Sequence, residues 1–162
     1  MTEVGSPLGV QSDWDENWIL TKKKKAASLS FDFINQPDTA QTVAVMCAAQ
    51  NMPNSFSGLK TLRIKETDRI DAVDIELKKI KSSFQLTATD DLGEEHYSIS
   101  PGVSFSNGIP TFETYKDHRM AMAFAPLALI HPIYMNQPEV VTKSYPDFWK
   151  DLETLGFVIE EV

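Results

Sequence analysis

The order and character of the helices constrain this chain more than any other feature. The segment "PDTAQTVAVMCAAQ", residues 37–50, opens with Pro37 and Asp38 and then runs almost wholly apolar or small. A helix apolar on every side is a buried helix. "KETDRIDAVDIELKKI", residues 65–80, differs: Ile70, Val73, Leu77 and Ile80 step by three and four, giving one apolar stripe. Asp74 and Lys78 form an i,i+4 pair on its wet side. The same succession then returns. "DHRMAMAFAPLALI", residues 117–130, is apolar nearly all round, with Pro126 placed to kink it, and "SYPDFWKDLETLG" is amphipathic and ends at Gly156. Asp38 and Asp117 stand 79 residues apart, and Lys65 and Lys143 stand 78 apart. The chain is therefore an internal repeat, one full copy and one nearly full.

The segments between the helices complete the unit. "SLSFDF" alternates and reads as a half-buried strand; "SFSGLKTLR" reads as a strand with a glycine irregularity. "SFQLTAT" and "HYSIS" form a strand pair around the turn-rich "DDLGEE". The first copy, residues 28–110, is then βαβαββ. The second, residues 111–162, takes "TFETY" and "IYMNQPEVV" as strands, the latter interrupted by a turn, and "FVIEEV" as a final strand. Both copies are assigned to one α/β domain. Residues 1–27 are weakly patterned, with "NWILTKK" as a strand candidate.

Charge and composition exclude several functions. A net charge of −8 argues against nucleic-acid binding by bulk electrostatics, and the run Lys22–Lys25 is too short to reverse that. Any anion site must be a local cluster of cations. A single cysteine, Cys47, lies among apolar neighbours, which excludes an internal disulfide and fits a reducing compartment. No apolar run reaches membrane-spanning length, and the first residues lack the apolar region of a signal peptide, so a cytoplasmic location is expected. Three histidines and one cysteine without ligand-like spacing give no metal site.

The charged residues of interest gather at helix starts, where unpaired N–H groups favour anions. Asp38 opens the first helix; Lys65, Glu66 and Arg69 open the second; Asp117, His118 and Arg119 open the third; Lys143 precedes the fourth. If the copies stack around a common axis, Arg69, Arg119 and Lys143 meet on one rim as unpaired cations that favour an anion between them, with Asp38 and Glu66 offsetting part of the charge. Plainer readings stand beside this. Asp38 with Gln41 is a capping-box spacing, Glu66 and Arg69 form an i,i+3 surface pair, Asp117 is an N-cap and His118 a structural histidine.

These residues also carry a resemblance. "LRIKETDRIDAV" and "TYKDHRMAMAFAPLAL", with "QPDTAQTVAV" and "VVTKSYPDFW" in the same order and at compatible spacing, resemble four motifs in the C-terminal half of the 5-enolpyruvylshikimate-3-phosphate synthase family. The resemblance implies an inside-out α/β barrel of six βαβαββ units in two domains, about two of which lie here. It implies transfer of the enolpyruvyl group of phosphoenolpyruvate to the 5-hydroxyl of shikimate 3-phosphate, with release of phosphate and no metal or organic cofactor. By motif, Asp38 is the base near that hydroxyl and Glu66 the residue that exchanges the methylene proton. Lys65 is a shikimate-phosphate contact; Arg69, Arg119 and Lys143 surround phosphoenolpyruvate; Asp117 and His118 support them. Thr61 stands where many relatives have asparagine against the substrate. The family's N-terminal half supplies further substrate contacts, so this chain by itself is expected to be inactive. Two alternatives remain: a sister transferase acting on a UDP-amino sugar, and a noncatalytic anion-binding domain.

Overall fold

The computed structural model describes residues 28–100 and 102–161 with their side chains, and the backbone of two further strands, β1 (Val10–Asp15) and β2 (Trp18–Lys23). These two pair as an antiparallel hairpin, which places the strand expected at "NWILTKK". Lys24 and Lys25, the rest of the basic run, lie outside the described residues.

The full copy follows in the expected order. Strand β3 (Leu29–Asp32) leads through a 3-10 turn at Pro37–Thr39 into helix α1 (Ala40–Ala49). Strand β4 (Asn54–Ser57) leads into helix α2 (Arg69–Lys78), and the antiparallel strands β5 (Phe84–Thr89) and β6 (Glu95–Ile99) close the unit. The sheet order is β3-β4-β6-β5, with β3 and β4 parallel. Along β3, Leu29 turns inward while Ser30 and Asp32 face out, and Phe33 beyond it is fully buried. Phe33, Phe56, Phe84 and Tyr97 contact one another in turn, the first two pairs edge-on and the last tilted, with centroids 5.3, 6.0 and 5.5 Å apart, and form the spine of the core.

Helix α1 is buried almost throughout, as its composition dictates, and Ile70, Val73, Leu77 and Ile80 of the second helical segment all reach the core. One expectation changes at "SFSGLKTLR". The strand stops at Ser57 because Gly58 adopts φ +73°, and a Cβ there would sit 2.2 Å from Asp32 Oδ1. A 3-10 turn at Lys60–Ile64 replaces the second half of the expected strand.

The second copy runs β7 (Thr111–Glu113), α3 (His118–Phe124), β8 (Tyr134–Asn136) and α4 (Phe148–Thr154), with β7 and β8 parallel. Pro126 ends the α-helical geometry rather than bending it: the chain continues as a 3-10 turn at Ala125–Leu129. Pro138 opens a second 3-10 turn, Pro138–Val141, after β8. Gly156, at φ +96°, terminates α4, and Phe157 N–H reaches back to Leu152 C=O at 3.1 Å. The final strand expected at "FVIEEV" does not form over residues 157–161. No strand among the described residues pairs with it, and Val158 stays largely exposed.

The two buried helices pack on each other. Gln41 Nε2 of α1 approaches Met120 Sδ of α3 at 3.0 Å, and these two positions are separated by the repeat interval of 79 residues. Repeat-equivalent helices therefore meet face to face, which brings their N-terminal ends together. No helix of the described residues is long and apolar enough to cross a membrane.

Candidate functional site

That meeting of helix ends produces one cluster from three segments. Asp38, in the 3-10 turn before α1, holds its carboxylate between two guanidinium groups. Arg69 Nη1 donates to Oδ1 at 2.8 Å, and Arg119 Nη2 donates to Oδ2 at 3.0 Å. Arg119 Nη1 also donates to the Asp38 backbone carbonyl at 3.0 Å, so one side chain of the second copy fixes both main chain and carboxylate of the first. Lys65 Nζ lies 3.8 Å from Asp38 Oδ1.

Arg69 is the hub. It opens α2 after Asp68, whose side chain caps the helix by accepting from Ile70 N–H and Asp71 N–H. Only 2% of the Arg69 side chain is exposed. Its Nε donates to Asp117 Oδ2 at 2.7 Å, and Nη2 donates to Asp117 Oδ1 at 3.3 Å and to Glu66 Oε2 at 2.7 Å. Asp117 is fully buried; as the N-cap of α3 it also accepts from Arg119 N–H at 2.9 Å. His118 Nδ1 lies 3.9 Å from the same carboxylate. Glu66 is half exposed. Its carboxyl is held below the usual range, chiefly by a hydrogen bond from its own backbone N–H and further by Arg69.

The cluster differs from the sequence expectation in its charge balance. Lys65, Arg69 and Arg119 face Asp38, Glu66 and Asp117, three against three, so the cations are paired rather than bare. The Glu66–Arg69 pair forms, but it is anchored on a buried arginine rather than lying on the surface. The capping box of Asp38 and Gln41 does not form, because Asp38 serves the arginines and Gln41 turns to Met120. Lys143 is exposed in the turn after Val141 and takes part in none of the ion pairs among the described residues. Thr61 is exposed on the 3-10 turn before Lys65.

Two supports were not singled out from sequence. Arg63 ties down the segment bearing Lys65 and Glu66, donating to Asp68 Oδ2 at 2.9 Å and to Tyr97 Oη at 2.8 Å. Glu76, on α2, is fully buried and accepts from Lys79 Nζ, Tyr115 Oη and Glu113 N–H. Glu76 stands beside the apolar stripe positions Val73 and Leu77, and a carboxylate in that place is the signal that identifies it.

Known proteins share this fold. A solved structure of EPSP synthase from Acinetobacter baumannii superimposes with a TM-score of 0.61 at 22% identity, covering 98% of this chain and 39% of its own, which establishes the fold. The 3-phosphoshikimate 1-carboxyvinyltransferase of Bacteroides fragilis strain YCH46 is 42% identical over 161 residues, 98% of this chain. That of Aliivibrio fischeri strain MJ11 is 31% identical over 150 residues, 92% of this chain. The chain spans 38% and 33% of the lengths of these two relatives. The family model of EPSP synthase (3-phosphoshikimate 1-carboxyvinyltransferase) matches residues 1–152, nearly the whole sequence, and with the fold in agreement the chain belongs to that family.

Proposed function

We propose that the chain provides part of the active site of an enzyme that transfers the enolpyruvyl group of phosphoenolpyruvate to the 5-hydroxyl of shikimate 3-phosphate. The observation that carries this reading is the Asp38 carboxylate held between Arg69 and Arg119, with Lys65 beside it. The names of the relatives favour shikimate 3-phosphate over the UDP-amino sugar of the sister transferases.

The chemistry follows from the pairing. Lys65 and Arg119 are each about one-third exposed, so they are free to turn toward a phosphate or carboxylate, whereas Arg69 is locked by Asp117. An anionic ligand that draws Lys65 and Arg119 away leaves Asp38 an open lone pair. Asp38 then takes the proton of the attacking hydroxyl as its oxygen bonds to C2 of the enol, and Glu66 gives a proton to the methylene carbon. In the second step the ionised Glu66 takes a proton back from the new methyl group. The C–O bond to phosphate breaks, and Asp38 returns its proton to the departing phosphate. Protons balance over the cycle. The lowered proton affinity of Glu66 opposes its first step and suits its second. Lys143 and Thr61 complete the substrate contacts, and Asp117, with His118 beside it, keeps Arg69 in place. The remaining contacts come from the part of the transferase that the relatives have and this chain does not span. The reaction belongs to aromatic amino acid biosynthesis in the cytoplasm.

The test is phosphate release with both substrates, for the chain alone and for the chain joined to the N-terminal part of the Bacteroides fragilis transferase. Turnover by the joined protein only is the expected result. A joined protein that folds and releases no phosphate leaves the noncatalytic anion-binding reading in its place. Rapid turnover by the chain alone would refute the claim that the site is shared.

A further inference from the structure

The segment that delivers Asp117 to Arg69 is built under strain. Tyr115 and Lys116, consecutive residues with β-carbons, both adopt left-handed backbone, φ 54° and 58°. Such residues rarely occupy that region, and two in succession persist only where surrounding contacts hold them. The turn is closed by Asp117 N–H donating to Thr114 C=O at 2.9 Å. Its one side-chain anchor to α2 ahead of Asp117 is Tyr115 Oη, which donates to Glu76 Oε1 at 2.8 Å. The other oxygen of Glu76 accepts from Lys79 Nζ at 2.7 Å and from Glu113 N–H at 3.0 Å, and Lys79 also donates to Thr111 C=O at 2.8 Å. Glu76 is fully buried and lies seven residues after Arg69 on the same helix, about 10.5 Å along its axis. Residues 111–117 therefore grip α2 at two points: Glu113 and Tyr115 at Glu76, and Asp117 at Arg69.

We propose that Tyr115 is a positioning residue for the site: its hydroxyl, bound to the buried Glu76 carboxylate, holds the left-handed turn that sets the Asp117 carboxylate against Arg69. The helix acts as a spacing bar between the two grips. Release of the hydroxyl lets the turn relax from its strained backbone, and Asp117 then draws away from the Arg69 Nε–H. Burial, and then the hydrogen bond to Glu76, push the Tyr115 hydroxyl above its ordinary range, which keeps it protonated as a donor. Lys116 supplies part of the strain that the anchor opposes, since a glycine would adopt the same backbone without steric penalty. This inference rests on the reading of Asp38, Arg69 and Asp117 as part of a substrate site.

The experiment uses nitrogen-15 NMR of this chain, because the buried Arg69 Nε–H reports its bond to Asp117 without any turnover. Tyr115→Phe should speed exchange of that proton with water by about tenfold, the scale of losing one hydrogen bond to a charged acceptor. Backbone amides of β5 and β6 should exchange as in the parent chain, which a general loss of stability would not allow. Adding Lys116→Gly to Tyr115→Phe should restore slow exchange. Unchanged Arg69 exchange in Tyr115→Phe overturns the proposal, as does failure of both the single and the double variant to fold. A parallel titration with shikimate 3-phosphate and phosphoenolpyruvate, read at Lys65 and Arg119 in the chain joined to the N-terminal part of the Bacteroides fragilis transferase, separates the two claims. If that joined protein shows no shift there while Tyr115→Phe still frees the Arg69 proton, the clamp stands and the substrate reading falls.

Discussion

Replacing Arg69 by methionine isolates the role of the buried charge. Methionine keeps the apolar stem of arginine and carries no charge, so Arg69→Met vacates the space of the guanidinium and removes four hydrogen bonds to three carboxylates. The carboxylates do not suffer equally. Asp38 and Glu66 are 40% and 53% exposed and recover solvation from water. Asp117 is fully buried; without Arg69 it keeps the Arg119 N–H and lies 3.9 Å from His118. Stranding such a charge costs about 3–5 kcal/mol, whereas exposed pairs contribute at most about 1 kcal/mol. For a chain of 162 residues each kcal/mol shifts the melting temperature by about 2–4 °C, so a fall of roughly 6–20 °C is expected at pH 7 by circular dichroism. Asp117→Asn keeps the N-cap and removes the charge, so in Arg69→Met/Asp117→Asn the loss should be smaller than the sum of the single losses by at least about 1.5 kcal/mol. Glu66→Gln should cost less than about 1 kcal/mol. A melting temperature unchanged by Arg69→Met, or strict additivity in the cycle, would refute the claim that Arg69 compensates the buried Asp117 charge.

Other outcomes follow from single positions. Gly58→Ala, with a left-handed backbone and a Cβ 2.2 Å from Asp32 Oδ1, should lose about 2–4 kcal/mol of stability in urea unfolding. Burial pushes the Cys47 thiol up to about 12, so it should resist a thiol-reactive dye at pH 8 in the folded chain and react on unfolding; rapid labelling of folded protein would contradict its burial. Glu66, with its folded carboxyl lowered, contributes stability above its unfolded value of about 4.3 that is lost as pH falls through the folded value. The stability difference between the parent chain and Glu66→Gln should therefore be present at pH 6 and shrink below about pH 4.

The repeat was legible because its helices differ in kind: α1 and α3 lack a polar face, and α2 shows a clean stripe. Those patterns depend on short-range spacing, which a sequence displays directly. The pairing of the site did not come through, because Arg69 meets Asp117 from 48 positions away and Arg119 meets Asp38 from 81. Spacing places charges at helix ends, but only the packing of α1 on α3 decides that they neutralise one another. Asp38 illustrates the cost of local reasoning, since the cap suggested by Gln41 gave way to two guanidinium groups that a window of a few residues does not contain. The shortened β4 has another cause: Gly58 reverses the backbone where alternation alone continues it. Residues 157–161 pair with no strand among the described residues.

The central claim is that Asp38 is a reacting carboxylate placed by cations, and not simply a structural ion pair. The most direct measurement is kcat for phosphate release by the chain joined to the N-terminal part of the Bacteroides fragilis transferase, with and without Asp38→Ala, alongside the melting temperature of each protein. The account predicts that kcat falls by about 10²-fold or more, the scale of losing a positioned acid or base, while stability changes by about 1 kcal/mol or less. A variant that keeps its kcat and only melts earlier would contradict it.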